Sequence, residues 1–459
     1  MLGKGALASV IVNLDVLASA PRLSSDKPNI LMILVDDLGY GDLSCQDATD
    51  LRTPHIDALM QAGMRLEPFY ANCPVCSPTR AALLTGRYPD LAGVPGVIRT
   101  HQKDSWGYLS EKTVSLPAVL QKQGYHTAMV AKWHLGLESP NTPNEQGFDH
   151  VKGYLGDMMD DYWNHRRHGF NYMVENAKTI DPKGHATDLF SQWSVDYVNS
   201  RARQEPPFFL YLAYNAPHTP IQPPEDWLKK VKAREDNITD KRAKLVALIE
   251  HLDDGIGQVI QALKYSGQWQ NTLVLFTSDN GGQVNVGANN GPLHGGKQDM
   301  WEGGIRVPCC AVWPGKIKPG SENRGQTGLT MDLYPTICTA AGAKLSHKID
   351  GVDLLPTLLG KPPASLDRYV FWVRREGGRY GGRAYYAVRR AQWKLLQNTP
   401  FEPMQLFNLH DDPGEKQPLP TTHRMYRPLF QALQNHINQA SGVPWGKYPV
   451  DVEKVYKEL

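Results

Sequence analysis

Lys27-Pro28-Asn29-Ile30-Leu31-Met32-Ile33-Leu34-Val35-Asp36-Asp37 (KPNILMILVDD, residues 27–37) is a continuous apolar run held between a proline and a pair of carboxylates. A run without polar alternation reads as a strand buried on both faces, the kind found in parallel sheets covered by helices. Similar short runs follow at His126–Val130, Phe208–Ala213 and Leu273–Thr277. Helices are expected between them. Thr53-Pro54 opens one that Gly63 closes, and Ser77-Pro78 opens another, Thr79 to Leu84, with Gly86 just past its end. The spacing of Leu245, Leu248, Ile249, Leu252, Ile256, Val259, Ile260 and Leu263 draws one apolar stripe along a helix from Lys241 to Tyr265. Strands alternating with helices predict an α/β fold, a large and mostly parallel sheet sandwiched by helices.

The character changes near Gly360. Tyr369–Arg375, Arg383–Arg390 and Trp393–Gln397 are strand-like runs separated by glycine-rich turns, and a last helix is expected near Tyr426–Gln439. The chain therefore divides, by expectation, into a leader or disordered N-terminus over 1–27, a large α/β unit over 28–360 and a smaller C-terminal antiparallel-sheet unit over 361–459. In the leader, Lys4 precedes a mildly apolar stretch, Gly5 to Leu17, and Ala18-Ser19-Ala20 has the small-x-small form of a cleavage site. Asn13 and Asp15 interrupt the stretch, so the leader is atypical. A periplasmic or secreted location is the expectation.

Composition narrows the partners. The 49 Lys+Arg nearly cancel the 47 Asp+Glu, giving a net charge of +2, so no basic surface for nucleic acid is expected. No apolar run approaches the roughly 18 residues that a membrane span requires. With 41% apolar and 21% charged residues the chain can bury a core. Six cysteines are too few for a disulfide scaffold; Cys45, Cys309, Cys310 and Cys338 read as small buried hydrophobes. Cys73 and Cys76 form a C-x-x-C pair.

Chemistry collects where the apolar runs end. The first leads into Asp36-Asp37, the second into Lys132-Trp133-His134, the third into Asn215-Ala216-Pro217-His218 and the fourth into Asp279-Asn280-Gly281-Gly282. Open parallel sheets bind ligands beyond the carboxyl ends of their strands. Asp36, Asp37, Asp279 and Asn280 offer only oxygen, which selects a hard cation, Ca²⁺ or Mg²⁺. Arg80, Lys132, Lys297, His134 and His218 suit an anion with tetrahedral oxygens, held by cations while a histidine donates a proton. Cys76 stands at an expected helix start, where backbone N–H groups favour an anion. A thiolate nucleophile fits that setting, and so does a structural or modified cysteine.

These segments resemble the type I, formylglycine-dependent sulfatases of the alkaline phosphatase superfamily. Cys76-Ser77-Pro78-Thr79-Arg80, continuing to Thr85-Gly86-Arg87, resembles the family signature C-x-P-x-R…T-G-R. Asp36-Asp37-Leu38-Gly39-Tyr40-Gly41-Asp42 resembles its first metal segment. Lys132 to Gly136, Ala216-Pro217-His218 and Gly296-Lys297 leading into Trp301-Glu302-Gly303-Gly304 resemble its active-site segments, and Phe407-Asn408-Leu409 with Asp412-Pro413-Gly414-Glu415 its C-terminal one. The order of the segments, from Pro28 onward, carries the resemblance.

The resemblance implies an alkaline-phosphatase-like fold and a sulfuric ester hydrolase. It implies that a separate maturase oxidises Cys76 to formylglycine, whose gem-diol is the nucleophile and joins Asp36, Asp37, Asp279 and Asn280 around Ca²⁺, with Mg²⁺ as the alternative. By the same resemblance Arg80 stabilises the diol, Lys132 and Lys297 bind sulfate oxygens, His218 protonates the leaving alcohol, and His134 helps expel sulfate. A sulfated carbohydrate of the galactose or N-acetylgalactosamine type is the expected substrate. The segment Asp157 to His168 is rich in sugar-compatible groups, so Asp160, Asp161, His165, Arg166 and His168 are expected at the substrate rim, with Arg99 and His101 in a second rim loop. A phosphonate or phosphodiester hydrolase of the same superfamily is the alternative enzyme. A non-catalytic sulfated-glycan binder predicts gaps among the metal and cation positions, and none is found. A thiol oxidoreductase built on Cys73 and Cys76 leaves the carboxylates unexplained.

Overall fold

The computed structural model describes residues 27–101, 107–202, 206–362, 367–376 and 383–444. The expected leader lies, apart from Lys27, outside the described residues. The main sheet has ten strands: β1 (Asn29–Val35), β2 (Met64–Leu66), β3 (His126–Lys132), β4 (His150–Tyr154), β5 (Met173–Glu175), β6 (Lys178–Thr179), β7 (Phe208–Ala213), β8 (Thr272–Ser278), β9 (Cys309–Val312) and β10 (Ser321–Asn323). Their order is β10-β2-β9-β8-β1-β7-β3-β4-β5-β6. The central five, β8-β1-β7-β3-β4, are all parallel. Antiparallel pairings appear only toward the two flanks, through β9 and β5.

The run that opens the chain is the axis of this sheet. Leu31, Ile33 and Val35 face one hydrophobic layer, Ile30, Met32 and Leu34 the other. The first layer is covered by α1 (Pro54–Ala62), α3 (Ala186–Ser200) and α4 (Asp240–Tyr265), the second in part by α2 (Cys76–Thr85). Six consecutive side chains of β1, Ile30 to Val35, are 0% exposed, each worth roughly 1.5–3 kcal/mol of burial. None of the described helices is long and apolar enough to cross a membrane.

A second, four-stranded antiparallel sheet follows: β11 (Tyr369–Arg375), β12 (Ala384–Arg390), β13 (Trp393–Gln397) and β14 (Gln405–Asn408). Its alternation divides its faces. Val388, Leu395 and Leu406 meet Leu429 and Leu433 of α5 (Tyr426–Ala440), whereas Trp372, Ala387, Leu396 and Phe407 pack against Tyr70, Ala82, Met300 and Ile305 of the larger unit.

Candidate active site

The registers set the ends of β8, β1, β7 and β3 level: Val35 pairs with Ser278, Leu34 with Ala213, and Ala213 with Ala131. Neighbouring parallel strands lie about 4.8 Å apart, so the polar residues after each strand meet in one row. Backbone bonds continue past the strands, from Asp279 N to Val35 O (3.0 Å) and Asp36 N to Ala216 O (3.1 Å). Close approach sets the glycines that follow: a Cβ on Gly281 would lie 1.8 Å from the Gly303 carbonyl oxygen. Asp37 (φ 67°), Ala131 (φ 82°), His134 (φ 62°) and Gln298 (φ 83°) occupy the left-handed region. Non-glycine residues there are uncommon, and such conformations cluster at functional sites.

Three carboxylates and three cations interlock at the centre. Arg80 is 0% exposed and gives Nε (3.1 Å) and Nη2 (2.7 Å) to Asp279 Oδ2, with Asp36 at 3.4 Å. Lys132 donates to Asp36, and Lys297 Nζ to Asp37 Oδ2 at 2.6 Å. Asn280 Nδ2 donates to Asp37 Oδ1 at 2.7 Å. Burial alone would raise Asp36, but Lys132, His218, Arg80 and Lys297 hold its carboxyl well below the usual range. Burial, then the charge of Asp36, moves Asp279 the other way. Burial works against the charge of Lys297, yet Asp37 and the neighbouring Cys76 and Asp36 together outweigh it and push the ammonium's pKa up.

Oxygen atoms of Asp36, Asp37 and Asp279 lie within 4.8 Å of one another. Asp36 Oδ1 and Asn280 Oδ1 are buried and have no hydrogen-bond partner among the described residues. Orphaned buried acceptors are costly, and an all-oxygen set of this kind fits a hard divalent cation.

Cys76 heads α2 and is 4% exposed. Burial pushes its thiol up to about 11, with Lys132 pulling the other way. The thiolate that a helix start favours is thereby opposed, because desolvation, with Asp36 and Asp279, outweighs Lys132 and Lys297. Cys73 is fully buried, and its Sγ lies 3.7 Å from the Val373 carbonyl. Among the described residues every cysteine is free, and Cys309, Cys310 and Cys338 are buried; Cys45, expected buried, is half-buried.

Cys76, His134, His218 and Lys297 line a cleft of about 190 Å³, and the remaining central residues are buried behind it. His218 Nδ1 donates to the Thr219 carbonyl (2.7 Å), leaving Nε2 3.6 Å from Asp37 Oδ2. His134 Nε2 donates to the Ile98 carbonyl (2.7 Å), and its Nδ1 has no partner among the described residues. Burial lowers the pKa of both imidazoles, aided by Lys132 and Arg80 at His134 and by Lys297 at His218.

The rim departs from the sequence reading. Of the expected residues, Arg99 lines the cleft. Asp160 is taken by Arg167 (2.7 Å), Asp161 caps the turn at Trp163 and Asn164, His165 is buried on the Gly184 carbonyl, and Arg166 pairs with Asp181 (2.9 Å). His101 and His168 are exposed and stack on each other, 4.6 Å between ring centres. Asp157, Met158, Thr219, Gln283, Gln298 and Arg374 line the cleft instead. A different and larger cleft, about 570 Å³, lies among α1, α3 and α4, away from every polar strand end.

An open parallel sheet carrying a buried oxygen cage, a cation ring and a helix start at its carboxyl edge defines a hydrolase for esters of oxyanions. Residues 28–343 match the Sulfatase family and residues 294–442 the family N-sulphoglucosamine sulphohydrolase, C-terminal. N-acetylgalactosamine-6-sulfatase of Mus musculus is 32% identical, over 93% of this chain and 88% of its own length. Arylsulfatase A of Homo sapiens is 33% identical, over 84% and 82%. The crystal structure of Ps i-CgsB in complex with k-i-k-neocarrahexaose superposes with a TM-score of 0.83 at 30% identity, covering 94% of this chain and 97% of that one. The chain belongs to the sulfatase family, the formylglycine-dependent group of the alkaline phosphatase superfamily, and is a sulfuric ester hydrolase.

Proposed function

We propose that this enzyme hydrolyses a sulfate ester on a sulfated carbohydrate, of the galactose or N-acetylgalactosamine type, with Cys76 converted to formylglycine by a separate maturase. The observation that carries the reading is the cage of Asp36, Asp37, Asp279 and Asn280, with two orphaned oxygens, beside Cys76 and three buried cations. The sugar class is supported by similarity to the N-acetylgalactosamine-6-sulfatases and to a structure that holds a neocarrahexaose. The leader-like sequence at 1–27 supports work outside the cytoplasm, in the periplasm or beyond.

The cage would hold Ca²⁺, or Mg²⁺, which when bound supplies Lewis-acid polarisation of a sulfate oxygen. Formylglycine, once hydrated, supplies one hydroxyl to attack sulfur and a second through which sulfate can leave. The chain's own residues do the rest. Lys297 and Lys132 hold sulfate oxygens, and Arg80 fixes Asp279 and residue 76 in place. His218, its Nδ1–H committed to Thr219, acts as the imidazolium opposite Asp37 and gives the proton on Nε2 to the leaving alcohol with Lys297 beside it. His134 takes a proton at Nδ1.

The test is turnover of monosulfated galactose and N-acetylgalactosamine, an aryl sulfate and an aryl phosphodiester by protein co-expressed with a maturase. Sulfate esters should be cleaved preferentially. Cys76→Ala should lower kcat by at least about three orders of magnitude in a folded protein. Chelation should abolish turnover, and Ca²⁺ or Mg²⁺ should restore it. An unmodified Cys76 peptide in active protein, or a large preference for the diester, would refute the proposal.

A further inference from the structure

Two guanidinium groups reach the cleft from distant parts of the chain, and the sulfate-ester chemistry uses neither. Arg374, near the end of β11, is 4% exposed and lines the cleft with Cys76 and Lys297. Its Nε donates to Glu376 Oε1 at 3.2 Å and its Nη1 to the Gln298 carbonyl at 2.8 Å. Its Nη2 has no hydrogen-bond partner among the described residues. Arg99 lines the same cleft and places its Nη2 3.3 Å from Glu376 Oε2. Glu376 is 1% exposed, so one buried carboxylate holds a guanidinium on each of its oxygens. The acid in this wall, Asp157, is engaged by Arg167 at 2.9 and 3.3 Å.

A guanidinium that a buried carboxylate locks in the wall of a cleft, with a donor to spare as at Arg374 Nη2, suits a carboxylate or sulfate, whose oxygens match its fork. Gln298 follows Lys297 directly, so Arg374 is tied to the segment that carries the sulfate-binding lysine. We infer that Arg374 and Arg99, clamped by Glu376, form a second oxyanion pocket. It reads a negative group of the substrate other than the ester being cut, a further sulfate or a carboxylate on the same or the adjoining sugar. The inference rests on the proposed action on sulfated carbohydrate and narrows it to polyanionic substrates. Arg374 and Arg99 are then specificity-determining residues, and Glu376 a positioning residue.

Binding by the Cys76→Ala protein tests the pocket without turnover. The probes are galactose monosulfate, galactose disulfate and a galactose monosulfate linked to a uronic acid, titrated calorimetrically at low salt. At least one dianionic probe should bind about tenfold or more tightly than the monosulfate, the value of one good charge-assisted hydrogen bond. The tighter arm identifies the second group as sulfate or carboxylate. Arg374→Gln and Arg99→Gln, each in the Cys76→Ala background, should collapse that ratio toward one. A strut that merely supported Gln298 would weaken all three probes alike and leave the ratio intact. If Arg374→Gln fails to fold by circular dichroism, Arg99→Gln decides. Equal affinities in the parent, or an unchanged ratio in the folded variants, would overturn the pocket. Turnover of the monosulfate by formylglycine-bearing wild type is measured separately, so failure there rejects the enzyme reading while the binding ratio still judges the pocket.

Discussion

Arg80 carries its charge into a place with no solvent at all, and Asp279 is what makes that tolerable. Breaking a buried pair by removing one partner costs about 3–5 kcal/mol, because the other charge is stranded. Asp279→Asn is therefore expected to lower the free energy of unfolding by about 3 kcal/mol, at the low end because Asp36 remains 3.4 Å from Arg80. Urea unfolding followed by circular dichroism measures it, and an unchanged midpoint would show that the pair is not structural. These central residues were legible in the sequence because each follows an apolar run within a few positions. Asp36, Asp37, Asp279 and Asn280 needed only the rule that strand ends carry the site. Arg374, Gln298 and Glu376 were not legible, since their place depends on how the second sheet docks. The engagement of the polar residues between Asp160 and Arg166 was hidden for a related reason: polarity shows that a loop is wet, and says nothing of which groups it spends on its own turns.

Among the elements, β1, β7, β8 and α4 were readable from hydropathy, whereas α3 was not. Its buried positions include Thr187, Ser191 and Ser194, so the inward face carries hydroxyls and the apolar period is lost. The start of α3 has its own signature. His185 is fully buried, accepts the Thr187 N–H at Nδ1 (3.2 Å) and bonds the Gln222 carbonyl through Nε2 (2.9 Å). Burial, with His251 assisting, lowers it from 6.5 to about 4, and protonation at Nδ1 would set two donors face to face. The unfolded chain takes up this proton first as pH falls, so the stability from neutral His185 is full above about 6.5. It is lost progressively toward pH 4, about 3 kcal/mol in all. His185→Gln should flatten that limb of the stability–pH curve; an identical slope in wild type and variant would count against the assignment.

At the scale of the whole molecule, the two sheets are joined by charge as well as by apolar packing. Lys394 of β13 is 0% exposed and bonds Glu302 at 2.9 Å and Glu415 at 2.7 Å, while Glu415 accepts the Glu302 N–H at 2.6 Å. Lys394→Met leaves two buried carboxylates together and should cost about 3–5 kcal/mol. Denaturant titration should show the midpoint falling; a variant as stable as the parent would mean that packing alone joins the sheets. The second sheet also grips the cysteine loop: Trp372 Nε1 bonds the Ala71 carbonyl (2.8 Å), Cys73 meets Val373, and Arg374 holds Gln298. Cys73 and Val373 stand 300 positions apart. During synthesis the loop around Cys76 thus leaves the ribosome long before the strand that will close on it. At about 5–20 residues per second the interval is roughly 15–60 s. The modification proposed for Cys76 has a window set by translation: once the last sheet docks, the loop is held and residue 76 is reached only through the cleft.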